Sequence, residues 1–182
     1  MTDPKTEFAA TASLIPLAQA AAADVERVLD AAFGTDRHRR TAYAIRRGTE
    51  CLAALCFGAL DADGALVGTV QAFPVALTDP AGRATPLIMV GPVAILPRRQ
   101  GQGYGRALMA AQSEAIGAVR LEGGTPLAQV LIGDAPYYGR FGFVEAPRGW
   151  QCPGPWEPER LLVRAAEPAV LPPAGMLGPW RD

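Results

Sequence analysis

Hydrophobic and polar positions along the chain follow two rhythms, one of period two and one near 3.6. Ser13 to Leu17 is a short apolar run that reads as a first strand, and Ala20 to Phe33 places Val25, Val28, Leu29 and Ala32 on one helical stripe before Gly34 stops it. A second short helix is predicted over Thr41 to Arg47, ending at Gly48. Cys51 to Leu60, the turn residues Asp61-Ala62-Asp63-Gly64, and Ala65 to Leu77 together read as an antiparallel hairpin. A further turn at Asp79-Pro80 and Gly82 leads into Leu87 to Leu96, a long apolar strand closed by Pro97. Tyr104 to Val119 then repeats Ala107, Leu108, Ala111, Ala115 and Val119, a stripe of small and apolar residues suited to lie on a sheet. Leu127 to Ile132 is the next strand, Ala135 to Phe141 a short helix, and Phe143 to Ala146 and Leu161 to Val163 are shorter strands. Pro147 to Pro158 reads as a long irregular connection carrying two tryptophans.

Beyond Glu167, residues Pro168, Pro172, Pro173, Gly175, Gly178 and Pro179 predict a tail with neither helix nor ladder, laid over the body and anchored by Trp180. No repeat or linker divides the rest. The expected organisation is one mixed α/β domain over residues 1–166 with a Pro/Gly-rich tail over 167–182.

Composition narrows the class. Of 182 residues, 49% are apolar and 19% charged, which fits a folded globular domain and excludes a disordered chain. Lys plus Arg is 17 against 18 for Asp plus Glu, so no bulk basic footprint predicts a nucleic-acid or membrane partner. Cys51, Cys56 and Cys152 form no CxxC pair, and the single histidine, His38, completes no usual zinc set with them, so no metal is expected. Met1 to Ala12 has charge and a proline where a signal peptide would have an apolar core, and no run is long enough to span a bilayer. Reduced thiols and a cytoplasmic setting follow as expectations.

The candidate chemistry begins at Gln100-Gly101-Gln102-Gly103-Tyr104-Gly105, directly after a predicted strand and at the start of a predicted helix. Glycine lets the backbone turn sharply and approach a ligand, and free amides at a helix N-terminus favour an anion such as a pyrophosphate. Arg106 stands where a GxGxxG fingerprint needs its third glycine, and no Lys-Ser/Thr pair completes a P-loop.

Val93-Ala94-Ile95-Leu96-Pro97-Arg98-Arg99-Gln100-Gly101-Gln102-Gly103-Tyr104-Gly105-Arg106-Ala107-Leu108 closely resembles the acyl-CoA motif of the GNAT superfamily of N-acetyltransferases, whose core Gln/Arg-x-x-Gly-x-Gly/Ala is filled by Gln100, Gly103 and Gly105. Downstream, Leu131-Ile132-Gly133-Asp134-Ala135-Pro136-Tyr137-Tyr138-Gly139-Arg140-Phe141-Gly142-Phe143 resembles the second signature, a strand, a tyrosine on a short helix, then Gly-Phe. The wording is similar to the bacterial YhbS-like predicted acetyltransferases. The resemblance covers about Ser13 to Val163 and implies a central, mostly antiparallel mixed sheet flanked by helices, with splayed fourth and fifth strands and acetyl-CoA as co-substrate. By position, backbone at Val93, Ala94 and Ile95 would bond the pantetheine, and amides of Gln100, Gly101, Gln102, Gly103, Tyr104, Gly105 and Arg106 would cradle the pyrophosphate. Arg98, Arg99 and Arg106 are candidates to add charge there.

Tyr138, four residues before Gly142, matches the tyrosine that in this family protonates the departing CoA sulfur. Its neighbour Tyr137 stays open as the one facing the sulfur, since adjacent helical residues diverge by about 100°. No acid lies in Leu87-Ile88-Met89-Val90-Gly91-Pro92, so a water-mediated base is expected; Asp134 reads as a helix N-cap before it reads as a base. His38, among Arg37, Arg39 and Arg40, reads as solvated, and Cys56 as an inert buried thiol. The resemblance puts that arginine run along the acceptor wall, where it is a candidate to meet an acidic acceptor or the CoA ribose phosphate. The expected activity is acetyl or short-acyl transfer from acyl-CoA to a small primary amine by direct attack in a ternary complex. A non-catalytic acyl-CoA sensor and a macromolecule-modifying acetyltransferase are the alternatives, and a homodimer is left open.

Overall fold

The computed structural model of the chain describes residues 12–119 and 126–180. Residues 1–11, where the charged N-terminal segment was read, lie outside the described residues, as do the last two of the tail.

Strand β1 (Ser13–Pro16) leads into helix α1 (Ala22–Phe33) and the short α2 (Thr41–Ile45). Strands β2 (Phe57–Leu60), β3 (Leu66–Thr78) and β4 (Ala84–Ile95) follow, then α3 (Tyr104–Ala118), β5 (Ala128–Ile132) and the one-turn α4 (Ala135–Tyr138). Four short strands finish the chain: β6 (Val144–Glu145), β7 (Gly149–Gln151), β8 (Leu161–Arg164) and β9 (Ala174–Pro179). All join one sheet in the order β1-β2-β3-β4-β5-β8-β6, with β9 beside β3 and β7 beside β9. The main path is antiparallel except between β4 and β5. This is the mixed, mostly antiparallel sheet that the motifs imply.

Apolar side chains of α1 (Val28, Leu29) and α3 (Leu108, Ile116) share one core with β2, β3 and β4. A second core joins Val75, Leu77, Leu87 and Met89 to Trp150, Leu161 and Leu177. Burial of these side chains is the main stabilising force, at about 25 cal/mol per Å² of apolar surface. Pro74 lies inside β3, yet its carbonyl accepts from the Trp180 amide at 3.3 Å on the β9 side. Its missing N–H faces that same side, so the β3–β4 ladder loses no bond there.

Three elements differ from the sequence pattern. Cys51 to Leu60 is a strand only over Phe57–Leu60, because a 3₁₀ turn at Ala53–Leu55 precedes it and Leu52 donates instead to Ala72. The connection of residues 147–158 holds β7, which pairs in parallel with β9. The tail, expected to form no ladder, forms β9, antiparallel to β3 from Val75↔Pro179 to Thr78↔Met176. Gly175 permits this: a Cβ there would lie 2.7 Å from the Thr78 carbonyl oxygen.

Candidate active site

The sheet opens at its centre. β4 and β5 pair in parallel at Leu87↔Ala128, Ile88↔Gln129 and Met89↔Val130, and no further pair follows. β4 stays with β3 up to Ile95, while β5 stays with β8 up to Ile132, so the two strands part company after three rungs. In β4 the register shifts opposite Gln71, with Val90 paired to Ala72 and Val93 to Val70, leaving Gly91 and Pro92 as a bulge. Gln112 of α3 donates from Nε2 to the Gln71 carbonyl at 2.9 Å and the Leu55 carbonyl at 2.8 Å, pinning the opposite strand at the bulge.

A cavity of about 830 Å³ occupies the opening. Val90–Val93 of β4 form one side of it and Leu131–Asp134 the other, with Tyr137 and Tyr138 from α4 and residues of α2 and the 155–157 loop closing it.

Beside the opening, a 3₁₀ turn (Pro97–Arg99) carries β4 into the glycine turn. Gly101 and Gly103 have φ of +77° and +90°, the left-handed region that glycine enters without a Cβ clash, and Gly103 is the N-cap of α3. A Cβ at either position would meet nothing within 4 Å, so both face open space with the helix N-terminus behind them. That cradle fits a pyrophosphate. Tyr104 is only 3% exposed, with its side chain in the core, so it can offer a ligand no more than its amide. Arg99 is engaged by Asp61 at 2.7 Å, whereas Arg98 and Arg106 are exposed.

The two tyrosines are placed differently. Tyr138 packs its ring against Gly133 and edge-on to Phe143, 6.2 Å between centroids. Burial, then the nearby Tyr137 and Asp134, push its phenol up to about 12. Tyr137 reaches toward α3, its hydroxyl 2.7 Å from where a Gly105 Cβ would stand, and its phenol is raised mainly by burial against the opposing Arg140 and Arg106. Asp134 sits at the N-cap position of α4 without a side-chain cap bond; its carbonyl, not its carboxylate, accepts from Tyr137 and Tyr138. Its exposed side chain lines the cavity.

Arg39 and Arg40 line the cavity, but Arg37 does not. It is 2% exposed and ion-paired to Glu26 and Asp30 of α1, a structural role that a basic run alone conceals. His38 is exposed, edge-on to Tyr43 at 4.8 Å. Burial raises the Cys56 thiol to about 12 and the Cys152 thiol to about 11, which leaves both unreactive at neutral pH. Among the described residues, no cluster of three or more His, Cys, Asp or Glu side chains suits a metal ion, and no helix is long and apolar enough to cross a membrane.

Several residues of the cavity wall stand outside every motif, and one of them is a buried cation. Arg46, at the C-cap of α2, is 7% exposed, packs over the rings of Tyr43 (4.1 Å) and Phe73 (3.9 Å), and donates to the Gly91 carbonyl at 3.2 Å. The only trace of it in the sequence is the one-turn spacing of Tyr43 and Arg46.

A mixed sheet that splits between its fourth and fifth strands beside a glycine-turned helix N-terminus is the acyltransferase architecture. Residues 14–146 match the family described as an acetyltransferase (GNAT) domain, and the chain belongs to that family. Among solved structures it is similar to the GNAT family N-acetyltransferase YhbS of Escherichia coli in complex with CoA, at 24% identity over 96% of this chain and 93% of that one, TM-score 0.65. It is also similar to a GNAT family acetyltransferase of Brucella melitensis in complex with acetyl-CoA, at 25% identity over 91% and 94%, TM-score 0.59. No curated protein matches the chain.

Proposed function

We propose that this chain transfers an acetyl or short acyl group from acyl-CoA to the primary amine of a small acceptor, by direct attack in a ternary complex. Bound acetyl-CoA supplies the reactive thioester. Backbone of Val93, Ala94 and Ile95, on the edge of β4 that β5 leaves free, holds the pantetheine; the amides from Gln100 to Arg106 hold the pyrophosphate. The amine nitrogen bonds to the carbonyl carbon as the C–S bond breaks. Tyr138 gives its proton to the departing sulfur, and the proton shed by the amine returns to the phenolate through water. The observation that carries this reading is that the Tyr138 phenol and the freed edge of β4 line the same cavity.

Tyr138→Phe keeps the ring on Gly133 and Phe143 and removes only the donor. At saturating acetyl-CoA, turnover of an accepted amine should fall about 10²–10⁴-fold, the usual worth of a positioned general acid, with binding of acetyl-CoA and thermal stability little changed. Tyr137→Phe should be milder. Retention of most of the turnover by Tyr138→Phe would remove the general-acid role.

A further inference from the structure

Arg46 is a buried cation with no acid beside it. Among the described residues no carboxylate lies within ion-pair range of its guanidinium, which stacks on two aromatic rings, donates to one carbonyl and has the Tyr43 hydroxyl and the Cys51 thiol nearby. Burying an arginine is costly without an opposing charge, and ring faces and one carbonyl offset only part of that cost. The guanidinium has five N–H donors in a rigid fork, and one is used by Gly91. None of its nitrogens is sealed off without a partner, and the residue lines the cavity. Donors that the protein does not engage are available to a group bound in that cavity.

The CoA phosphates are not the missing partner. No residue from Gln100 to Arg106 lines this cavity, so the phosphate cradle is outside it. The cavity has its own mixture of charge: Arg39, Arg40 and Arg160 beside Arg46, against Asp134 and Glu157. Arg40 already donates to the Phe33 carbonyl and is exposed, which leaves Arg46 as the buried, preoriented cation.

From this we infer that the acceptor amine also carries a carboxylate, and that the Arg46 fork receives it. The acceptor class is then an amino acid or a similar small amino-carboxylate. A planar carboxylate matches the fork in a paired, charge-assisted geometry that a lysine cannot reproduce. Asp134 and Glu157 supply the opposite sign for the ammonium form of the same molecule as it enters. This inference rests on the amine-acetyltransferase reading of the cavity.

The test compares amino acids with their own carboxamides as acceptors, with acetyl-CoA as donor. An amide's amine is the less basic and is more fully deprotonated at neutral pH, so a preference for the acid cannot come from amine reactivity. Wild-type protein should favour the acid about 10- to 100-fold in kcat/KM, the range expected for one charged hydrogen-bonded pair. Arg46→Lys keeps the charge and loses the fork; it should lower kcat/KM for the acid about 10-fold more than for the amide, chiefly through acceptor KM. Equal or better use of the amide by the wild type overturns the inference while leaving the acetyltransferase reading in place. An equal loss on both acceptors in Arg46→Lys also overturns it, since a purely structural arginine would act that way. If Arg46→Lys does not fold, the wild-type preference decides alone. Failure of every acid, amide and simple amine to be acetylated overturns the underlying reading and this inference together.

Discussion

At the scale of single residues, burial has set several protons. The folded chain holds the Tyr138 phenol and the Cys56 and Cys152 thiols above their ordinary values of 10.0, 9.0 and 9.0, at about 12, 12 and 11, chiefly by desolvation. In the unfolded chain these groups ionise first, so between those values the folded state binds more protons and stability falls as pH rises. Their contribution is fully present below about pH 9 and is lost progressively toward pH 12. Urea unfolding at pH 8 and pH 10.5 should show a lower midpoint at the higher pH, and an unchanged midpoint would contradict this account. The glycine turn and the place of Tyr138 on a short helix after β5 were legible in the sequence because each belongs to a fixed spacing within one segment. Arg37 and Arg46 were not: one pairs with α1 and the other packs on Phe73 of β3, and no local pattern separates them from the exposed Arg39 and Arg40.

Among the elements, β3, β4, α3 and β5 follow the hydrophobic periodicity closely, since each carries its own buried stripe. β9 does not, because its ladder depends on partners far away in sequence and Gly175 is placed in close approach to β3. Local propensity is overruled there by tertiary pairing. β9 is no mere covering: Leu177 is 1% exposed in the second core, and the Trp150 indole donates to the Pro172 carbonyl at 2.7 Å. Leu177→Ala should therefore cost about 2–5 kcal/mol, as a buried leucine does. Denaturant unfolding measures it. A loss below about 0.5 kcal/mol, the range of surface substitutions, would mean that the strand is only laid on the surface.

For the whole molecule, the consequence of the sheet topology is one opening that gathers separate segments. β4 and β5 provide its sides, α4 its two phenols, and α2 with the loop near Trp156 its far wall. The first two were readable as consecutive motifs; of the far wall the resemblance gave only the arginine run, of which Arg39 and Arg40 line the cavity, and not the 155–157 loop, because Thr41 is tied to the Pro155 carbonyl across more than a hundred residues of chain. Acetyl transfer is the chemistry proposed for that opening. The direct measurement is CoA thiol released from acetyl-CoA by the wild-type protein on addition of an amine panel that includes amino acids, polyamines, aminoglycosides and short peptides, with acetylated amine quantified by mass. Saturable, amine-dependent thiol release matched one to one by acetylated amine is the expected result. Binding of acetyl-CoA with no amine-dependent release across the panel would contradict it, and would leave a protein that holds the thioester without using it.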